Sequence, residues 1–105
     1  KGYEVADYGT DSPEPADYPD IVHPLAGSVE KREYERGVLV CGTGLGVCMA
    51  ANRHEGIRAA VCLTPHLAEM SRRHNNANVL ALGADWTSLD EARARVAAWR
   101  CEKGP

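Results

Sequence analysis

An α/β fold, arranged as a three-layer α/β/α sandwich around a parallel Rossmann-like sheet, is predicted by three features of this 105-residue sequence. Continuous apolar runs at 37–42, 58–63 and 78–84 have the character of strands buried on both faces of a parallel sheet. Segments with helical patterning separate the runs, as βαβ units require. Glycine, proline and asparagine fall at the run ends, where connections belong.

Along the chain, residues 3–8 carry the β-branched and aromatic character of a short strand, and the breakers from Gly9 to Pro19 make loops. Residues 20–34 place Ile21, Leu25 and Val29 on one helical face, interrupted by Pro24 and Gly27. Gly37-Val38-Leu39-Val40-Cys41-Gly42 is the clearest strand, and residues 47–52 are compatible with a helix. After the run at 58–63, Thr64 and Pro65 suit the N-cap and first position of a helix reaching Asn75. The run at 78–84 is followed by Ser88-Leu89-Asp90-Glu91, a helix start with acidic residues in its first turn, leading through Val96 and Trp99 to an end that frays at 102–105.

Length and 44% hydrophobic residues support a single domain over 1–105 with a modest core. The net charge of -3 is spread over interspersed acidic and basic residues, which gives no reason to expect nucleic acid or a membrane surface as partner. No apolar run has the length of a membrane span and residues 1–4 lack the pattern of a secretory signal, so a soluble, cytoplasmic protein is expected. Cys41, Cys48, Cys62 and Cys101 form no CxxC pair and read as reduced thiols, with Cys48, Cys62 and Cys101 in packing roles. His23, His54 and His66 show no ligand spacing, and no metal or organic cofactor is expected. The first recognisable strand already stands well into a βα pattern and position 1 is not Met, so the chain reads as incomplete.

Cys41-Gly42-Thr43-Gly44-Leu45-Gly46 lies where the strongest strand ends and a helix begins. Backbone N–H groups there can converge on an anion, and alternate glycines permit close approach. The segment lacks the Lys-Ser/Thr of a P-loop and the spacing of a dinucleotide fingerprint. Two readings stay open from the residues alone: a ligand-binding loop or a tight strand-to-helix turn. Cys41 is correspondingly either a base or nucleophile favoured by the helix dipole, or a small buried hydrophobe. His74 and Asn75 close a predicted helix, where a histidine is as readily a solvated partner of the helix dipole as an acid–base group.

Taken in order and spacing, Asp17-Tyr18-Pro19-Asp20, the loop 41–46, Ala50-Ala51-Asn52-Arg53, Gly56-Ile57-Arg58-Ala59-Ala60 and His74-Asn75-Asn76-Ala77-Asn78-Val79-Leu80 resemble the ribose-5-phosphate isomerase B and galactose-6-phosphate isomerase family. The resemblance covers about residues 3–84. It implies ring opening of an aldose phosphate and conversion to the ketose through a cis-enediolate, ribose 5-phosphate to ribulose 5-phosphate first among candidates, without a cofactor. On the matching positions it implies Cys41 as the base, Thr43 as a loop hydroxyl, Gly42, Gly44 and Gly46 with Leu45 as the substrate-holding backbone, His74 as the ring-opening acid–base group, and Asn75 and Tyr18 as substrate contacts. It also implies a homodimer, or a dimer of dimers, whose sites borrow residues from the adjoining subunit.

Three departures accompany it. Residues 1–8 do not supply the family's first strand with its Asp-His pair, and the Gly-Gly-Arg-His segment that binds phosphate does not occur. Asp85 stands where the resemblance expects an Arg that meets phosphate, so Arg93 or Arg95 serves instead or the substrate differs. An isomerase of galactose, allose or tetrose phosphates, a non-catalytic assembly module and, least favoured, a flavodoxin-like nucleotide or flavin domain are the alternatives. With its first strand missing, the sheet is expected to leave an apolar edge that another chain covers.

Overall fold

The computed structural model describes residues 19–105; the predicted strand at 3–8 and Tyr18 lie outside the described residues. The described chain runs α1 (Pro19–Glu30), β1 (Gly37–Cys41), α2 (Leu45–Ala51), β2 (Ala59–Val61), α3 (Pro65–Asn75), β3 (Val79–Gly83), a 3-10 turn (Ala84–Trp86) and α4 (Leu89–Cys101). The strands form one parallel sheet in the order β1-β3-β2, with Cys41 opposite Gly83 and Val61 opposite Ala81. The α/β prediction holds.

Two apolar cores lie on opposite faces of the sheet. Val22, Ala26 and Val29 of α1 and Val47 and Ala51 of α2 bury Leu39, Val79 and Ala81 on one face. Ala68 of α3 and Trp99 of α4 cover Leu80 and Leu82 on the other. All of β3 is buried, as a central strand between two helical layers must be.

β1 departs from the expected two-sided burial. Leu39 is buried under α1 and α2, but Val38 and Val40 are 37% and 57% exposed. Their face is that of Leu80 and Leu82, their register partners, and there α4 sits over β3. β2 is likewise only half-buried. A continuous apolar run therefore marked a strand in all three cases but full burial in one.

The core face of α1 is centred on Val22, Ala26 and Val29, with Ile21 and Leu25 at its margin. The small Ala26 side chain allows close approach to the sheet. Pro24 stays inside the helix, and its carbonyl accepts a hydrogen bond from Ser28 Oγ at 3.0 Å. The helix ends at Glu30, short of the predicted Tyr34, because Arg32 turns left-handed at φ 62°. α3 starts as predicted, with Thr64 Oγ1 accepting the Leu67 N–H at 3.0 Å and Pro65 in the first turn. α4 starts with a reciprocal pair between Ser88 and Glu91, a capping box.

The tail after α4 is tied down rather than frayed. Arg36 donates to the carbonyls of Trp99, Arg100 and Glu102 and lies over the Trp99 ring, 5.5 Å from its centroid. Arg72, 7% exposed, donates to Glu102 O at 3.2 Å and to Ala77 O at 2.7 Å. These carbonyls, left over at a helix end and a strand entry, are satisfied by guanidinium groups of distant elements.

Arg72→Ala removes donors from the buried Ala77 carbonyl and the part-buried Glu102 carbonyl, and a net loss of about 2–4 kcal/mol is expected from charge-assisted bonds of this kind. Arg93, 71% exposed and 3.9 Å from Asp90, should tolerate the same change with stability close to unchanged. Urea unfolding of the two variants beside the parent protein reads both outcomes.

Candidate active site

Neighbouring parallel strands β1 and β3 send their following helices to opposite faces of the sheet: α2 to the Leu39 face, α4 to the Leu80 face. A crevice opens at the carboxyl ends of two such strands, and that is where an open α/β sheet receives ligands. The loop from Cys41 to Gly46 forms one wall, and the turn beginning at Ala84 forms the other.

Backbone lies against backbone where the loop meets β3. A Cβ on Gly83 would meet the carbonyl carbon and oxygen of Thr43 at 2.7 and 2.6 Å, so only glycine admits the loop here. Gly44, at φ 83°, adopts the left-handed conformation, and a Cβ there would lie 3.0 Å from the Leu82 carbonyl carbon. A Gly at the end of a strand is the sequence signal for such an approach.

This geometry turns N–H groups inward. The Gly44 N–H donates to Cys41 Sγ at 3.2 Å, and Leu45 N–H donates to Thr43 Oγ1 at 3.2 Å. Partial burial pushes the Cys41 thiol up, but the N–H groups of Val47, Gly44, Thr43 and Gly46 outweigh it and leave the thiol below its ordinary range. Burial instead pushes Cys48 and Cys62 up. Of the other cysteines, Cys48 is half-buried and Cys62 is buried, in keeping with packing roles, whereas Cys101 is exposed and does not pack. All four thiols are free.

Gly42, Thr43, Gly44, Leu45 and Gly46 are thus brought together around Cys41. His74 and Asn75 are not. They are exposed in the last turn of α3, which starts at the carboxyl end of β2 and delivers the chain to the amino end of β3. With 11 residues in that helix, they stand roughly 16 Å away along the sheet from the crevice. Arg58 Nε fixes the Asn75 carbonyl there at 2.6 Å.

Asp85 enters the crevice. Its N–H donates to Gly42 O at 2.9 Å, and a Cβ built on Gly42 would lie 2.8 Å from Asp85 Oδ2. Arg95 is buried and donates to Thr87 Oγ1 at 2.9 Å, while Arg93 lines an open surface concavity with Ala92, Val96, Ala97 and Arg100.

Two groupings escaped the sequence reading. His23 Nδ1 and His54 Nε2 lie 2.8 Å apart, and His54 Nδ1 is 3.1 Å from Glu30 Oε1, whose partner oxygen takes the Gly56 N–H. Among the described residues no three His, Cys, Asp or Glu side chains are placed to hold a metal ion. Asn52 pairs with both backbone groups of Ala59, and Asn78 bridges Arg58 N and Gly56 O, which anchors the entry to β2. Fold-dependent pairings across 7 and 20 or more positions leave no local signal.

Comparison with known proteins bears on the whole chain. A family model described as Ribose/Galactose Isomerase matches residues 1–103. Ribose-5-phosphate isomerase B of Escherichia coli is 46% identical over 99 residues, and D-erythrulose-4-phosphate isomerase of Pectobacterium atrosepticum 42% over 100. Each alignment takes in 94% of this chain, and the chain spans 66% of each relative's length. The structure of ribose-5-phosphate isomerase B from Clostridium thermocellum superimposes with TM-score 0.94 at 48% identity, covering 98% of this chain and 70% of that one. With sequence and fold agreeing over nearly its full length, the chain belongs to the ribose/galactose isomerase family.

Proposed function

We propose that this chain carries the proton-transfer half of an aldose–ketose sugar-phosphate isomerase that interconverts ribose 5-phosphate and ribulose 5-phosphate, with Cys41 as the base. The observation that carries the reading is the Gly44 N–H held on the Cys41 sulfur at 3.2 Å, in a loop whose neighbouring N–H groups lower the thiol from its ordinary range. A thiolate held in this way abstracts the proton from C2 of the open aldose, and the C1 carbonyl electrons move to oxygen to give a cis-enediolate. The same sulfur returns the proton to C1, and C2 becomes the carbonyl as its hydroxyl proton passes to O1, which gives the C1 hydroxyl of the ketose and restores the thiolate. As the sulfur is protonated its negative charge passes to the enediolate oxygens, and loop N–H groups released from sulfur are then free to hold them. Thr43 Oγ1 accepts the Leu45 N–H, which leaves its own proton for a substrate oxygen.

Ring opening requires a further acid–base group, and among the described residues no histidine stands beside Cys41 in the crevice of its own chain. His74 at the far edge of the sheet supplies it when two copies associate about a two-fold axis across the strands, so that the partner subunit's His74 and the partner subunit's Asn75 reach Cys41. Exposed Leu45, Met49, Leu63, Leu67, Trp86 and Leu89 at the carboxyl edge support burial against another chain. Tyr18 is a substrate contact in this reading. Four-carbon sugar phosphates form a second candidate class, favoured by the 42% identity to the erythrulose-4-phosphate isomerase. No helix among the described residues is long and apolar enough to cross a membrane, and free thiols with a phosphorylated substrate fit the cytoplasm.

Two results are expected. Mixing Cys41→Ser with His74→Ala after partial unfolding should regenerate about a quarter of parental ribose 5-phosphate turnover, since one of the two sites of a mixed dimer is intact and random pairing makes half the dimers mixed. No recovery from two inactive variants would place both residues in one chain's site, and parental activity in either variant alone would remove that residue from catalysis. Iodoacetamide should label Cys41 with a pH midpoint below that of an ordinary thiol and Cys48 with one above it. Coincident midpoints by peptide mass analysis would remove Cys41 as the activated group.

A further inference from the structure

The wall of the crevice opposite the loop carries a negative charge at a point where N–H groups attract anions. The Asp85 N–H bond to Gly42 O sets the first residues of the 3-10 turn and points the side chain back across the loop. Its carboxylate rests on the α-carbon of Gly42, one residue from Cys41, in space that any larger side chain at 42 would take. Asp85 is exposed, and no ion pair among the described residues neutralises it. The crevice therefore combines a backbone cradle that favours negative charge with a carboxylate that opposes it.

We propose that Asp85 is the specificity-determining residue of this end of the site: it receives neutral hydroxyl groups and turns anionic groups away from Cys41. A carboxylate accepts hydrogen bonds from two vicinal hydroxyls as readily as water does, and it repels a phosphate or carboxylate brought into the same space. In terms of the isomerase reading, on which the identity of the substrate rests, the resemblance expects a phosphate-meeting Arg at position 85, so the reversed charge selects an open polyhydroxy aldehyde whose phosphate is held away from this wall. Sugars phosphorylated beside the carbonyl and sugar acids with a carboxylate there are excluded. The loop's own N–H groups would otherwise welcome both.

The field at Cys41 can be read without turnover. In the full chain, Cys41 is alkylated with iodoacetate, which is anionic, and with iodoacetamide, which is neutral and nearly the same shape, in the parent, Asp85→Asn and Asp85→Arg proteins. Peptide mass analysis follows Cys41 alone. The ratio of iodoacetate to iodoacetamide rates should rise about threefold or more in Asp85→Asn, and further in Asp85→Arg, as expected for a unit charge removed or reversed within several ångströms. Inorganic phosphate should protect Cys41 at a concentration about tenfold lower in Asp85→Arg than in the parent protein. A ratio unchanged in both variants overturns the assignment, as does a parallel change in both reagents, which reports altered access and not charge. If the ratio shifts as expected while no aldose phosphate is turned over, the charge assignment is supported and the isomerase reading is the one that fails.

Discussion

Contact between the backbone of the loop at Thr43 and the backbone of β3 at Gly83 is the constraint on which the rest of the site depends. Because no side chain intervenes, the loop can curl tightly enough for its amides to face the Cys41 sulfur. The fully buried β3 supplies a rigid floor, with a helical layer packed on each face. Local order at one cysteine is thus inherited from the burial of the neighbouring strand in the sheet.

Much of the fold was legible in the sequence because the signals were local. Thr64-Pro65 and Ser88 through Glu91 each satisfy the donors of the helix they start, so their meaning does not depend on distant residues. The three apolar runs located the strands for a similar reason. What they could not reveal was which neighbours cover them: Val38 and Val40 differ from Leu80 and Leu82 in tertiary surroundings and hardly at all in character. Periodicity also favoured Ile21 and Leu25 over Val22 and Ala26, because hydrophobicity scales reward size where close helix–sheet packing rewards smallness.

The candidate site divides along the same line. Cys41 and its glycine loop are contiguous, and the motif names them together. His74 and Asn75 belong to the same motif set in sequence but occupy the other edge of the sheet, because α3 must run back antiparallel to the strands it joins. The ties that hold the tail, from Arg36 and Arg72 to the Glu102 carbonyl, span 66 and 30 positions and left no trace in local pattern.

An acid–base residue tuned by a neighbouring side chain can be lost through a single replacement at that neighbour. Here the tuning groups are peptide N–H bonds, which every residue but proline possesses. The loop's chemistry is therefore indifferent to most side-chain identities around it and sensitive to a few glycine positions. Such an arrangement lets the surrounding walls drift while the Cys41 sulfur, the base in the function proposed above, keeps its character. It is a division of labour between a fixed backbone geometry and replaceable side chains, suited to a scaffold whose relatives are isomerases named for ribose 5-phosphate, D-erythrulose 4-phosphate and 4-deoxy-4-sulfo-D-erythrose.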